Sequence, residues 1–253
     1  MSRQRIVLYE AAYEGVVRIL YVMGRWGEGK ELGQATDLLK DLAHRELTSG
    51  LVAWLGLETY PAVLALYAYG IGLVHAGRYE ALHGWLATPI RNQRRDKDQV
   101  AVQQLLLNAW DGCGGNPWKS FDGVPASPIP LSEYLHLRFK DWILGEFPSS
   151  RQFTRAFQTF ETLGAMVYLA REVKPELLKT SMDDAAKDEC HWMPMGRVSY
   201  QEEEAREVFS AIFAEENLDL MSSAGFGYGR RESLTLMQEN LRRFIHRARG
   251  SWR

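Results

Sequence analysis

The chain has 253 residues, a formal net charge of −2, 46% hydrophobic and 25% charged residues, and two cysteines. That is room for one large helical domain or two small ones, and the composition excludes disorder as the default. The near-neutral balance gives the whole molecule no bias toward nucleic acid or an anionic membrane. Cys113 and Cys190 alone build neither a disulfide framework nor a zinc site, which fits a reducing, cytoplasmic setting.

The first predicted helix, Arg3 to Trp26, opens with no clear cap. Glu10, Glu14 and Arg18 fall at a spacing of four and mark a wet stripe; Tyr9, Tyr13, Val16, Val17 and Leu20 mark the dry face. Gly27 and Gly29 interrupt the pattern, which resumes over Leu32 to about Leu55, with Leu38, Leu39 and Leu42 inward, Lys40, Asp41 and Arg45 outward, and Gly50 as a bend. Thr59 is placed to cap a third helix, Pro61–Ala76, apolar nearly all round and therefore central. Its richest run, Tyr60–Val74, is short of the roughly 20 residues of a membrane span. Gly77 suits the left-handed residue that ends it, and Arg78–Leu86 returns.

Residues 89–98 read as a charged connector and Val100–Trp110 as helix. The Gly- and Pro-rich stretch 111–130 forbids a long helix and reads as the join between two helical subdomains, 1–110 and 131–253. Leu131–Leu144 and Ser150–Arg171 follow, the latter lining Phe153, Phe157, Phe160 and Leu163 on one face. A polar stretch, 174–191, holds at most short helices, and residues 192–200 are the best candidate for an extended, strand-like element. Ser199 and Glu202 have capping-box spacing before an acidic helix reaching about Glu216. Residues 221–229 read as a joint, and Arg231–Arg249 as a final helix with a basic end. The fold class is all-α, an irregular array of helical hairpins with long connecting loops.

The corner GLVHAGRYEALHGWL, residues 72–86, resembles one tetratricopeptide unit. On that resemblance Gly70 is the small residue that lets the returning helix approach, Gly77 ends the first helix and Tyr79 follows as the aromatic. Leu82 stands where the family has alanine, Pro89 comes early, and no second copy follows, so the resemblance covers one hairpin. The run 59–82 also resembles a helical segment of large bacterial multidomain proteins of defence type. That likeness implies sensing or assembly here, with any catalysis in another domain, and the abrupt first helix fits a piece of such a chain.

Chemical motifs are sparse. GEGK, residues 27–30, lacks the upstream glycine and the hydroxyl residue of a P-loop, Glu31 standing in its place, and no strand precedes it. GFGYG, residues 225–229, lacks the third glycine of a dinucleotide loop. None of the six histidines makes an HExxH pair; His75 and His83 flank the Gly77 corner, and Cys190 adjoins His191, but two ligands do not close a metal site. Cys113 in DGCGG sits where a thiol can be exposed and reactive, but a cysteine-dependent enzyme would need a histidine base from elsewhere, and with six histidines that is a weak signal. The acidic runs Asp183/Asp184 and Glu202–Glu204 read as helix starts. No catalytic residue, cofactor or metal is expected. Two binding readings remain. One is a scaffold or regulatory module that holds protein partners through an aromatic groove, with Tyr67, Tyr69, Tyr79 and Trp85 as wall or core. The other is nucleic-acid binding by Arg242, Arg243, His246, Arg247 and Arg249, with Arg91, Arg94, Arg95 and Lys97 as a weaker cluster.

Overall fold

A computed structural model describes residues 2–44, 56–92, 97–110, 117–124, 127–178 and 190–251. The fold is all-α. Ten α-helices occur among the described residues: α1 (Ser2–Trp26), α2 (Glu31–Ala43), α3 (Tyr60–His75), α4 (Tyr79–Leu86), α5 (Ala101–Leu105), α6 (Pro130–Ile143), α7 (Ser150–Glu172), α8 (Glu202–Phe213), α9 (Glu215–Ser223) and α10 (Arg231–Ser251). Among the same residues the one sheet is an antiparallel ribbon of β1 (Pro89–Asn92) and β2 (Lys97–Val100), with Pro89 opposite Val100 and Asn92 opposite Lys97. The strand-like element expected at 192–200 is not there. That stretch is irregular with a 3-10 turn at Arg197–Ser199, and it packs Met193, Met195 and Val198 into the core. The ribbon instead forms in the charged connector, where Ile90 is buried and anchors it.

Helix α3 is the axis because it has no wet face: every residue from Tyr60 to Leu73 is buried. α1, α2, α4, α5 and α7 all pack on it. Counted from Leu57, its apolar stretch runs 19 residues, long enough by composition for a membrane span, and 83% of that window is buried inside the fold. Two glycines set the closest crossing. A Cβ on Gly24 would stand 2.4 Å from the Tyr69 carbonyl oxygen, and one on Gly72 would stand 2.4 Å from that of Tyr21, so α1 and α3 touch backbone to backbone.

Gly77 ends α3 with φ +67, and Arg78 N–H donates to the Leu73 carbonyl at 2.9 Å, satisfying a terminal acceptor. The expected role of Gly70 is overturned. A Cβ there would meet Phe160 of α7 at 2.1 Å, so the gap admits a ring from the second half of the chain and not the returning helix. α7 begins at Ser149, whose Oγ accepts from Gln152 N–H at 3.2 Å, and buries Phe153, Phe157, Phe160 and Leu163 completely. One continuous core cluster runs from Ile6 to Ile245 and draws on both expected subdomains.

Several local expectations are corrected. Thr59 makes no cap; its Oγ1 accepts from Trp110 Nε1–H at 2.8 Å. Ser199 makes none either: the residue before α8 is Gln201, and the Ser199 hydroxyl is buried without a partner among the described residues. The acidic helix breaks at Ala214, which is extended at ψ 142, dividing α8 from α9. Of residues 221–229, the first three end α9 and the rest form a packed turn, with Phe226 buried and Gly225 and Gly227 at positive φ. Arg45, Gly50, Arg94, Arg95, Cys113, Asp183 and Asp184 lie outside the described residues.

Candidate functional site

Among the described residues two carboxylates lie inside the molecule. Glu10, read as part of the wet stripe, is 5% exposed. Tyr60 Oη–H donates to it at 2.8 Å, Tyr134 Oη–H at 2.7 and 2.9 Å, and Arg138 Nε forms an ion pair at 3.2 Å. Burial raises its carboxyl above the usual range, against the pull of those donors. Glu161 is fully buried beside α3. Ser132 Oγ–H reaches both its oxygens at 2.9 Å, Tyr67 Oη–H donates at 3.0 Å, and the Ser132 oxygen in turn accepts from Arg197 N–H at 2.9 Å. Gly196 presses so close that a Cβ would stand 1.8 Å from Glu161 Oε2. Desolvation pushes the Glu161 carboxyl up to about 8, so it is mainly protonated at neutrality. Both centres join helices α1, α3, α6 and α7.

Among the described residues no three of His, Cys, Asp and Glu converge as a metal site. His75 and His83 part company: His75 Nδ1 lies 2.6 Å from Tyr21 Oη and its ring stacks on Phe147, while His83 meets the edge of Phe226. In GEGK, the Gly29 N–H that would face a phosphate donates instead to Glu31 Oε2 at 2.9 Å. Cys190 accepts from Arg247 Nη1 at 3.8 Å and His191 Nε2 lies 3.3 Å from the Leu177 carbonyl, so the adjacent pair diverges.

An open groove of about 890 Å³ lies between α8 and α10. Its floor is Ala205, Phe209, Phe213, Ala214 and Ile245; Arg206, Arg242, His246 and Arg249 stand along its edges, and Glu202 is its one acid. The helices present these residues for simple reasons of period. On α8, Ala205, Phe209 and Phe213 recur every four residues, as do Arg242 and His246 on α10. Glu202 takes Arg206 Nη2 at 2.5 Å and Arg249 Nη1 at 3.4 Å. Arg249 Nε and Nη2 are buried and have no acceptor among the described residues, so its Nη1 is the atom that meets Glu202. The groove can therefore hold an apolar side chain on its floor and a carboxylate against its rim.

The structure divides the sequence candidates. Tyr67, Tyr69 and Trp85 are core, each 0% exposed: Tyr67 serves Glu161, and Trp85 packs on Tyr69 at 4.8 Å and donates to the Leu66 carbonyl at 3.0 Å. They cannot wall an open groove. Tyr79 is half-buried and lines a small cleft with His75 and Arg155. Arg242, His246 and Arg249 meet in the large groove, and Arg247 is exposed on another side. Arg243 is withdrawn from any surface role at 2% exposure; among the described residues Nη1 and Nη2 have no partner, and Nε pairs with Glu239 at 3.4 Å. Arg91 is exposed and apart from these. Sequence reasoning missed the aromatic floor, although Phe209 and Phe213 share a helix face. The chain matches no protein-family model, no curated protein and no solved structure.

Proposed function

We propose that the protein is a non-catalytic helical regulatory module, and that its groove between α8 and α10 takes an acidic amphipathic segment of a protein partner. The observation that carries this reading is the pairing of an apolar floor, Phe209, Phe213 and Ile245, with a rim of Arg206, Arg242, His246 and Arg249. A helix laid in a groove uses both, its apolar anchors below and its carboxylates at the edge. A phosphate backbone uses the rim and wastes the floor. Nucleic-acid binding by α10 is thus the second reading, weakened by the burial of Arg243. The likeness of residues 59–82 to bacterial defence-type proteins supports a place in a larger cytoplasmic assembly, with chemistry in another domain or subunit.

The test is fluorescence polarisation with a labelled 20-residue helical peptide bearing Leu and Phe at i, i+3, i+4 and i+7 and Glu elsewhere. Wild type should bind it, and Arg242→Glu and Phe209→Ser should each weaken binding about tenfold or more. A Lys-for-Glu version of the peptide should not bind. Equal binding of the two peptides, or tighter salt-sensitive binding of a single- or double-stranded oligonucleotide lost in Arg242→Glu, would refute it.

A further inference from the structure

We infer that the outward face of α1 is a self-association surface, on which a second copy of this chain lays its own α1 antiparallel. The proposal is independent of the groove. Nine residues between 7 and 26 are exposed: Val7, Leu8, Ala11, Ala12, Gly15, Arg18, Ile19, Val22 and Trp26. Only Arg18 is charged, and Glu14 already accepts from it at 2.8 Å. The large members stand well into solvent, Leu8 at 69%, Ile19 at 61% and Trp26 at 66%. A helix face that fronts water normally carries charge along its length.

The spacing is that of a helix-pairing seam. Residues 8, 12, 15, 19, 22 and 26 alternate steps of four and three, pointing away from the core face of Glu10, Val17 and Gly24. The seam is also complementary to itself when reversed. About a two-fold axis beside residue 17, Leu8 faces the second copy's Trp26, Ala12 its Val22, and Gly15 its Ile19. Each small residue meets a large one, as an isologous interface needs. Parallel pairing would set Gly15 on Gly15 and Ile19 on Ile19, leaving a gap beside a crowd. Nothing lies within 4 Å of a Cβ built on Gly15, so among the described residues no element of the same chain packs on the middle of the seam. Arg25 stacks on Trp26 at 4.6 Å and is tied to Glu146 at 3.2 Å, which fixes one end. The exposed apolar side chains amount to roughly 500 Å² per copy, so a pair buries about 1,000 Å², the size at which specific interfaces begin.

Sedimentation velocity on the full chain, from 1 to 200 µM, should show a reversible dimer. Ile19→Glu and, as an independent wedge, Gly15→Trp should weaken it at least a hundredfold with an unchanged far-UV circular dichroism spectrum. With Cys113 and Cys190 replaced by Ser, a mixture of Gly15→Cys and Ile19→Cys proteins should cross-link only as the mixed pair. A wild-type chain that is monomeric at 200 µM, a dimer indifferent to both substitutions, or cross-linking of Gly15→Cys to itself would overturn the inference.

Discussion

Replacing Glu161 by Gln isolates what a buried carboxyl does to stability. Burial holds its native pKa at about 8, while the unfolded chain titrates near 4.5. The sign follows from proton counts. Between those values the native state keeps a proton that the unfolded state has lost, so stability is fully present below about pH 4.5 and is lost as pH rises through 8. At 1.36 kcal/mol per pH unit, the wild type should lose about 3 kcal/mol between pH 5 and pH 8 through this group alone. The Glu161→Gln side chain keeps the shape and leaves Ser132 and Tyr67 an amide oxygen to donate to, but it cannot ionise. The difference between wild type and Glu161→Gln, read from urea unfolding at a series of pH values, cancels Glu10 and the other titrating groups. It should grow steadily in favour of the variant above pH 5. Two unfolding profiles that stay parallel from pH 5 to 8 would refute the reasoning, because the carboxyl would then ionise alike in both states.

Two further outcomes follow from packing and charge. Gly24→Ala and Gly72→Ala each force a methyl group to 2.4 Å from a carbonyl oxygen of the facing helix, and each should destabilise by about 1–3 kcal/mol in chemical denaturation, with a lowered Tm. Arg243→Met should leave stability unchanged or raise it by about 1 kcal/mol or more, because the guanidinium is buried with two nitrogens unpartnered among the described residues and one long ion pair, to the partly exposed Glu239 at 3.4 Å; a clear fall in the denaturation midpoint would show that the charge is better compensated than its neighbours indicate.

Much of the helical order was legible, because it rests on period and punctuation. α3 and α7 appear within a residue or two of where Pro61, Gly77 and the phenylalanine spacing put them. What failed was partner choice, which a one-dimensional pattern does not carry. Glu10 looks solvated on a helical wheel, yet two tyrosines from α3 and α6 and Arg138 make its burial tolerable. Gly70 reads as a contact for the next helix and instead receives Phe160. The ribbon at β1 and β2 escaped notice because its backbone pairing needs little apolar sequence. The candidate site was half legible. The α10 cations Arg242, His246 and Arg249 were marked by charge, while Arg243 beside them points inward, and the floor of α8 was hidden behind its acidic start. Glu161 had one available signal, an acid four residues after Phe157 on an otherwise aromatic face.

The all-round apolar character of α3 has a consequence during synthesis. Tyr67 and its partner Glu161 are 94 residues apart, and Phe160 lies beside that partner. At bacterial or eukaryotic elongation rates the central helix therefore leaves the ribosome roughly 5 to 20 s before its cover is made. For that interval a segment greasy enough to enter a lipid bilayer is bare on one side. Through those seconds the nascent chain has to keep that side from other greasy surfaces, a demand the finished fold no longer shows.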